Sequence, residues 1–159
     1  MGDMTIQVAV CGPRECGAEL RGPAFETGRL LAARGAVVIC GGYGGVMAAA
    51  AEGARSAGGT VVGILSGADR EHADPHLSIV IPTGLGQARN AVVVNSGDAV
   101  IVIGGSWGTL SEVAFAVRGG RVPVVQLGGW QIHDAAGRPL PGPLLARTPQ
   151  EALDLTGLW

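Results

Sequence analysis

Asp98-Ala-Val-Ile-Val-Ile-Gly-Gly-Ser-Trp-Gly-Thr-Leu-Ser-Glu112 decides the fold of this chain. Ala99–Ile103 is a continuous apolar run, as expected of a strand buried on both faces. A glycine-rich turn follows. Thr109 and Glu112 then match a capping box, with Thr109 as N-cap and Glu112 reaching back from the third helical position. Strand, glycine turn and helix start in that order make an anion site, because free N–H groups and the helix dipole point the same way. Arg89 lies 23 residues before Glu112, in the first turn of the preceding expected helix. A cation there opposes the helix dipole; either a bound anion offsets that, or the arginine faces solvent with a partner elsewhere. An arginine and a carboxylate converging on such a site point to a phosphorylated ligand, above all a nucleotide.

The same alternation extends in both directions. Strands are expected at Ile6–Cys11, Val37–Cys40, Thr60–Leu65, Ser78–Ile81, Ala99–Ile103 and Pro123–Leu127. Helices are expected at Ala18–Arg34, stopped by Gly35, at Val46 to about Ser56, and at Gly86–Ser96, Thr109–Arg118 and Pro149–Leu155. Ser66–Leu77 reads as a polar loop. Strands separated by helices of this length predict an α/β fold: a Rossmann-like three-layer sandwich. Its sheet is mainly parallel, with about six strands flanked by helices. One domain spanning 1–159 is expected. Ligands of such sheets bind beyond the carboxyl ends of the strands. Three glycine-rich loops fall there: Cys11-Gly12-Pro13, Cys40-Gly41-Gly42-Tyr43-Gly44-Gly45 and Gly104-Gly105-Ser106-Trp107-Gly108-Thr109.

Composition narrows the chemistry. The 159 residues are 47% hydrophobic and 15% charged, with 28 glycines and a formal charge of −2. A chain of this length buries roughly 70% of its unfolded surface, enough for a core. No basic run and 4% aromatics argue against nucleic acid as a partner. All 11 basic residues are arginine. Without lysine there is no pyridoxal phosphate Schiff base and no Walker A loop. Cys11, Cys16 and Cys40 lack metal-ligand spacing, and an odd set suggests no disulfide scaffold, so a reducing cytoplasm is the expected compartment. Met1-Gly-Asp-Met-Thr-Ile-Gln7 has neither the pattern of a secretory leader nor that of a myristoylation signal. No apolar run approaches a membrane span, so no membrane partner is expected.

The other motifs each have two readings. The Gly41–Gly45 turn either supplies positive φ for a tight strand-to-helix turn or clears side chains so that a ligand can approach the backbone; four glycines in five residues favour the second. No loop fits G-x-G-x-x-G, and Val37–Cys40 ends without an acidic residue for a ribose, which argues against NAD. Asn90 can hydrogen-bond a ligand or cap a helix. Trp107 is placed to shield or stack on a ligand, whereas Trp130 and Trp159 are expected to pack. His72-Ala-Asp-Pro-His76 reads as a solvated loop, not a metal site, and no metal is called for. Ser106 and Ser111 have no histidine partner for a nucleophilic triad.

On these residues, the chain resembles the LOG-like (LONELY GUY) superfamily, and within it the branch that includes molybdenum-cofactor carrier proteins. The resemblance runs from Ile6 to about Leu127. It rests on Gly41-Gly-Tyr-Gly-Gly-Val-Met47, on Ala88-Arg-Asn90 with Asp98-Ala99, and on Gly105-Ser-Trp-Gly-Thr-Leu-Ser-Glu112. LOG enzymes are phosphoribohydrolases that cleave a nucleoside 5′-monophosphate into base and ribose 5-phosphate. The resemblance implies that Arg89 and Glu112 are the catalytic pair and that Gly105, Gly108 and Thr109 contribute to phosphate binding. Gly12, Gly41, Gly42, Gly44, Gly45, Met47, Asn90, Gly104, Ser106 and Trp107 complete the expected ligand site. Where the family loop reads PGGxGTxxE, this chain has Gly104 for the proline and Ser106 for the second glycine. Those departures favour a carrier or sensor of a nucleotide-like ligand such as molybdenum cofactor. Retention of Arg89 and Glu112 favours hydrolysis. The resemblance implies no required cofactor and a homodimer or homotetramer. Such proteins have often been labelled lysine decarboxylases; a chain without lysine contradicts a pyridoxal phosphate enzyme.

Overall fold

The computed structural model describes residues 4–159. The reading of the N-terminal segment falls partly on residues 1–3, outside the described residues. Seven strands form one sheet: β1 (Gln7–Cys11), β2 (Val37–Cys40), β3 (Val61–Leu65), β4 (Ile79–Pro82), β5 (Ala99–Ile103), β6 (Val124–Leu127) and β7 (Leu144–Ala146). Every pairing is parallel, in the order β4-β3-β2-β1-β5-β6-β7. The helices are α1 (Ala18–Ala33), α2 (Val46–Ser56), α3 (Arg89–Asn95), α4 (Trp107–Gly119) and α5 (Pro149–Leu155). A 3-10 turn, Gly86–Ala88, leads into α3.

The six expected strands and five expected helices are all present, and the sheet is wider than expected by one strand. That strand, β7, is three residues long and follows Pro139, Pro141, Gly142 and Pro143, so it carries no periodic signal. β4 is the opposite edge, where Pro82 costs no ladder bond between two neighbours. Ser66–Leu77 contains neither helix nor strand. No helix among the described residues is long and apolar enough to cross a membrane.

Alternation along the strands divides the core into two layers. Val8, Val10 and Val38 face α1, α2 and α5, where Leu31, Ala50 and Leu153 are buried. Ala9, Ile39 and Val100 face α3 and α4, meeting Val93, Val94 and Val113. Small residues draw α1 and α2 together. A Cβ on Gly28 would overlap the Ala50 backbone, and one on Gly53 the Phe25 backbone. Backbone cannot swing aside as a side chain can. Gly53→Ala should therefore lose roughly 1–3 kcal/mol to overpacking, more than the ~1 kcal/mol that alanine gains in helix propensity. Urea unfolding should show a net loss; a stabilised variant would mean that the two helices separate freely.

Candidate active site

The strand order reverses between β1 and β5, so the crevice beyond their carboxyl ends is the switch point at which such sheets hold ligands. Gly12 follows β1 and is wedged there. A Cβ on it would overlap Val46 of α2 and crowd the Ile103 carbonyl at the end of β5.

The Gly41–Gly45 turn closes β2. Its glycines are covered by protein neighbours. A Cβ on Gly41 would overlap the Arg89 guanidinium at Nη1 and press on the Met47 sulfur. Gly42 lies under Leu65, and its carbonyl accepts the Asp74 N–H at 3.0 Å, which holds the Ser66–Leu77 loop against the turn. Gly44 and Gly45 let the Pro13–Arg14 backbone pass close. Pro13 O accepts the Val46 N–H at 3.0 Å and so occupies the first donor of α2. The side-chain-free surface of this turn therefore places Arg89 and the Pro13–Arg14 segment.

Arg89 opens α3 and reaches over the turn. Its Nε is buried and has no hydrogen-bond partner, and its carbon Cζ stands 5.6 Å from the Tyr43 ring centre. Arg14 Cζ stands 4.6 Å from the same centre. Neither arginine forms an ion pair among the described residues. Tyr43 is fixed through its hydroxyl, which accepts hydrogen bonds from Ser66 Oγ and from the Gly67 N–H, both at 3.2 Å. Burial pushes the phenol pKa up, but these hydrogen bonds and the Arg89 charge outweigh it and hold it below its ordinary value. Arg14 and Tyr43 were not legible as site residues. The available signal was the position of Arg14, two residues after the Gly12 that follows β1.

The start of α4 differs from the expected capping box. Ser106, not Thr109, is the N-cap: its Oγ accepts the Thr109 N–H at 3.2 Å and lies 2.9 Å from Thr109 Oγ1. The helix begins two residues earlier than expected, at Trp107. Thr109 is buried, with both its N–H and its hydroxyl engaged by Ser106. Glu112 is affected most. One full turn inside the helix, it cannot cap. Its side chain turns to the sheet, where the residue is only 7% exposed. Burial raises its pKa to about 7, against the lowering effects of a hydrogen bond with the Cys11 thiol and of the Arg89 charge. The Cys11 thiol is in turn pushed up, by burial first and by Glu112 second, and stays protonated.

The N–H groups of Gly105, Ser106, Trp107 and Gly108 donate to no carbonyl among the described residues. They form the anion-attracting end of a helix of 13 residues. Asn90 is buried and ties the two helices together: its Nδ2 donates to Ser111 Oγ at 2.8 Å, and Ser111 Oγ donates to the Gly108 carbonyl at 2.6 Å. The α3 that carries Arg89 is thus locked to the α4 that carries Glu112. Trp107 is 79% exposed and meets Trp130 edge to face at 5.1 Å. Trp130 packs on Gly105, and Trp159 lies against Arg34. The expected residues from all three glycine loops therefore lie along one edge of the sheet, with Arg89 and Glu112 converging at its switch point.

Residues 5–146 match the sequence model of the SLOG cluster4 family. A cytokinin riboside 5′-monophosphate phosphoribohydrolase of Mycobacterium tuberculosis is 33% identical over 141 residues, spanning 84% of this chain and 75% of that protein. The molybdenum cofactor binding protein of the phototrophic bacterium Rippkaea orientalis superposes with a TM-score of 0.85 at 32% identity, covering 96% of this chain and 95% of that one. The molybdenum cofactor carrier protein of Chlamydomonas reinhardtii superposes with a TM-score of 0.78 at 29% identity, covering 95% of each chain. The chain belongs to the SLOG cluster4 family and, through it, to the LOG-like superfamily.

Proposed function

We propose that this chain binds a phosphorylated nucleotide-type ligand in the crevice between β1 and β5 and hydrolyses the N-glycosidic bond of a nucleoside 5′-monophosphate. One observation carries this reading: a buried carboxyl, its pKa raised to about 7, faces an arginine that forms no ion pair among the described residues, beside the open N-terminus of α4. The phosphate is held by the N–H groups of Gly105–Gly108 and by Arg89. At neutral pH about half of Glu112 is ionised, the condition under which one group both takes and gives a proton. Glu112 draws a proton from a water molecule as the water oxygen bonds to the ribose C1′. The C1′–N bond breaks, its electron pair leaves with the base, and the base is protonated in turn. The products are ribose 5-phosphate and free base. The Mycobacterium tuberculosis relative, named for this class of reaction, supports the reading.

A second reading, a carrier or sensor that holds a nucleotide-like ligand such as molybdenum cofactor without turnover, is favoured by Gly104. Its φ is +72°, a conformation closed to proline, whose ring holds φ near −65°. The loop thus follows a path that the family's leading proline could not take, and Ser106 binds Thr109 inward. The names of the two structural neighbours agree with this reading.

Incubation with a panel of nucleoside 5′-monophosphates, followed by chromatography for free base, separates the two. Under hydrolysis, base is released, the rate rises with pH through about 7 as Glu112 ionises, and Glu112→Gln abolishes release. A thermal shift with the same panel and no released base establishes the carrier reading instead. In either case Arg89→Ala should weaken nucleotides far more than the matching nucleosides. Equal weakening would remove Arg89 from the phosphate.

A further inference from the structure

A cavity of about 340 Å³ lies on the other side of the Gly104–Ser106 loop, between α4 and the segment that runs from Gly128 to Pro143. Neither Arg89 nor Glu112 lines it. Its volume is at the small end of the range typical of ligand pockets, and its composition is also typical: mostly apolar walls with a few placed polar groups. Leu110, Val113 and Leu140 supply apolar surface, and Trp130 supplies an aromatic wall. That wall is rigid. The indole lies against Gly105, where a Cβ would crowd it, and meets Trp107 at 81° between planes.

One polar group in the cavity is oriented by its surroundings. Gln126, on β6, is buried, and its Nε2 donates to the carbonyls of Gly128 and Trp130 at 2.6 and 2.8 Å. Two acceptors on one side fix the amide, since its oxygen cannot face them. The Oε1 atom is thereby turned away from both carbonyls, and among the described residues it accepts no hydrogen bond. Gln126 lines this cavity together with the indole wall and apolar surface, and its one unengaged acceptor complements a flat ring with an N–H at its edge. We infer that this cavity is a second small-molecule site, for a planar heteroaromatic ring bearing an N–H donor. The inference is independent of the Arg89–Glu112 reading, because the two sites share only the glycine loop.

Benzimidazole carries the required N–H, and 1-methylbenzimidazole lacks it. Titration calorimetry, with tryptophan fluorescence in parallel, should show benzimidazole binding and the methylated probe binding about tenfold more weakly, the effect of leaving Oε1 unpaired. Ala114 is exposed on α4 and lines the cavity, so Ala114→Trp places an indole in it while leaving Gln126 unsubstituted. This variant should lose benzimidazole while keeping the thermal shift given by nucleotides. Equal affinity for the two probes, unchanged binding by Ala114→Trp, or no binding of benzimidazole at millimolar concentration would overturn the inference. So would dissociation of an oligomer by Ala114→Trp, because a second copy of the chain would then be what covers this surface.

Discussion

At pH 8 the Glu112→Gln variant is expected to melt roughly 6–12 °C above the unmodified chain, and at pH 4 to melt within a degree or two of it. The sign follows from where the proton sits. The folded chain holds Glu112 at a pKa of about 7, against 4.5 for the ordinary side chain. A raised carboxyl pKa means that folding favours the protonated form. Glu112 is thus harmless below pH 4.5; stability is lost as pH rises from there to about 7, and the loss is complete above it. A shift of this size corresponds to an uphill contribution on the order of 3 kcal/mol once the group is fully charged. In a domain of this length each kcal/mol moves the melting temperature by roughly 2–4 °C. Glutamine has the same shape and never ionises, so it removes the cost. Thermal unfolding at the two pH values is the check; an equal shift at both would show that Glu112 titrates normally and is no candidate for proton transfer. Carboxyls that weaken their own fold at neutral pH cluster at active and binding sites, which is the ground for proposing Glu112 as one.

The frame of this chain was legible because it is local. Continuous apolar runs such as Ala99–Ile103 and the Gly35 helix stop need only their neighbours to be interpreted, and the structure agrees on both. What the sequence misplaced was the cap beside Glu112. Thr109 and Glu112 fit a capping box, but Gly104 turns the chain so sharply after β5 that Ser106 becomes the cap and Glu112 falls inside the helix. A Thr-x-x-Glu cap does occur at Thr148–Glu151, where Thr148 Oγ1 accepts the Glu151 N–H at 3.1 Å. The two segments look alike in sequence, and only the path of the preceding strand separates them. The Trp130 wall and the orientation of Gln126 depend on a segment of proline and glycine that has no periodicity. The seat of Arg89 depends on a residue 48 positions away, Gly41, whose absent side chain is the relevant feature.

That seat gives the second large effect. Gly41→Ala should leave the fold intact and lower affinity for a nucleoside 5′-monophosphate about 10- to 100-fold. The backbone at Gly41 is outside the positive-φ region, so alanine adopts it without strain. The atoms its Cβ would overlap are the ends of two side chains, Arg89 and Met47, which can move aside at a cost of roughly 1–3 kcal/mol. Arg89 would move away from the turn and from the crevice. A charge-assisted hydrogen bond is worth roughly 1.5–3 kcal/mol, which sets the expected loss of affinity. Arg89→Ala should cost a similar factor, and the double variant should bind no more weakly than Arg89→Ala alone, because both changes remove the same interaction. Calorimetry on the three variants tests this. Full affinity in Gly41→Ala would show that Arg89 does not act from this position. Additive losses would show that Gly41 contributes through its own backbone, as the glycine-rich turn first suggested.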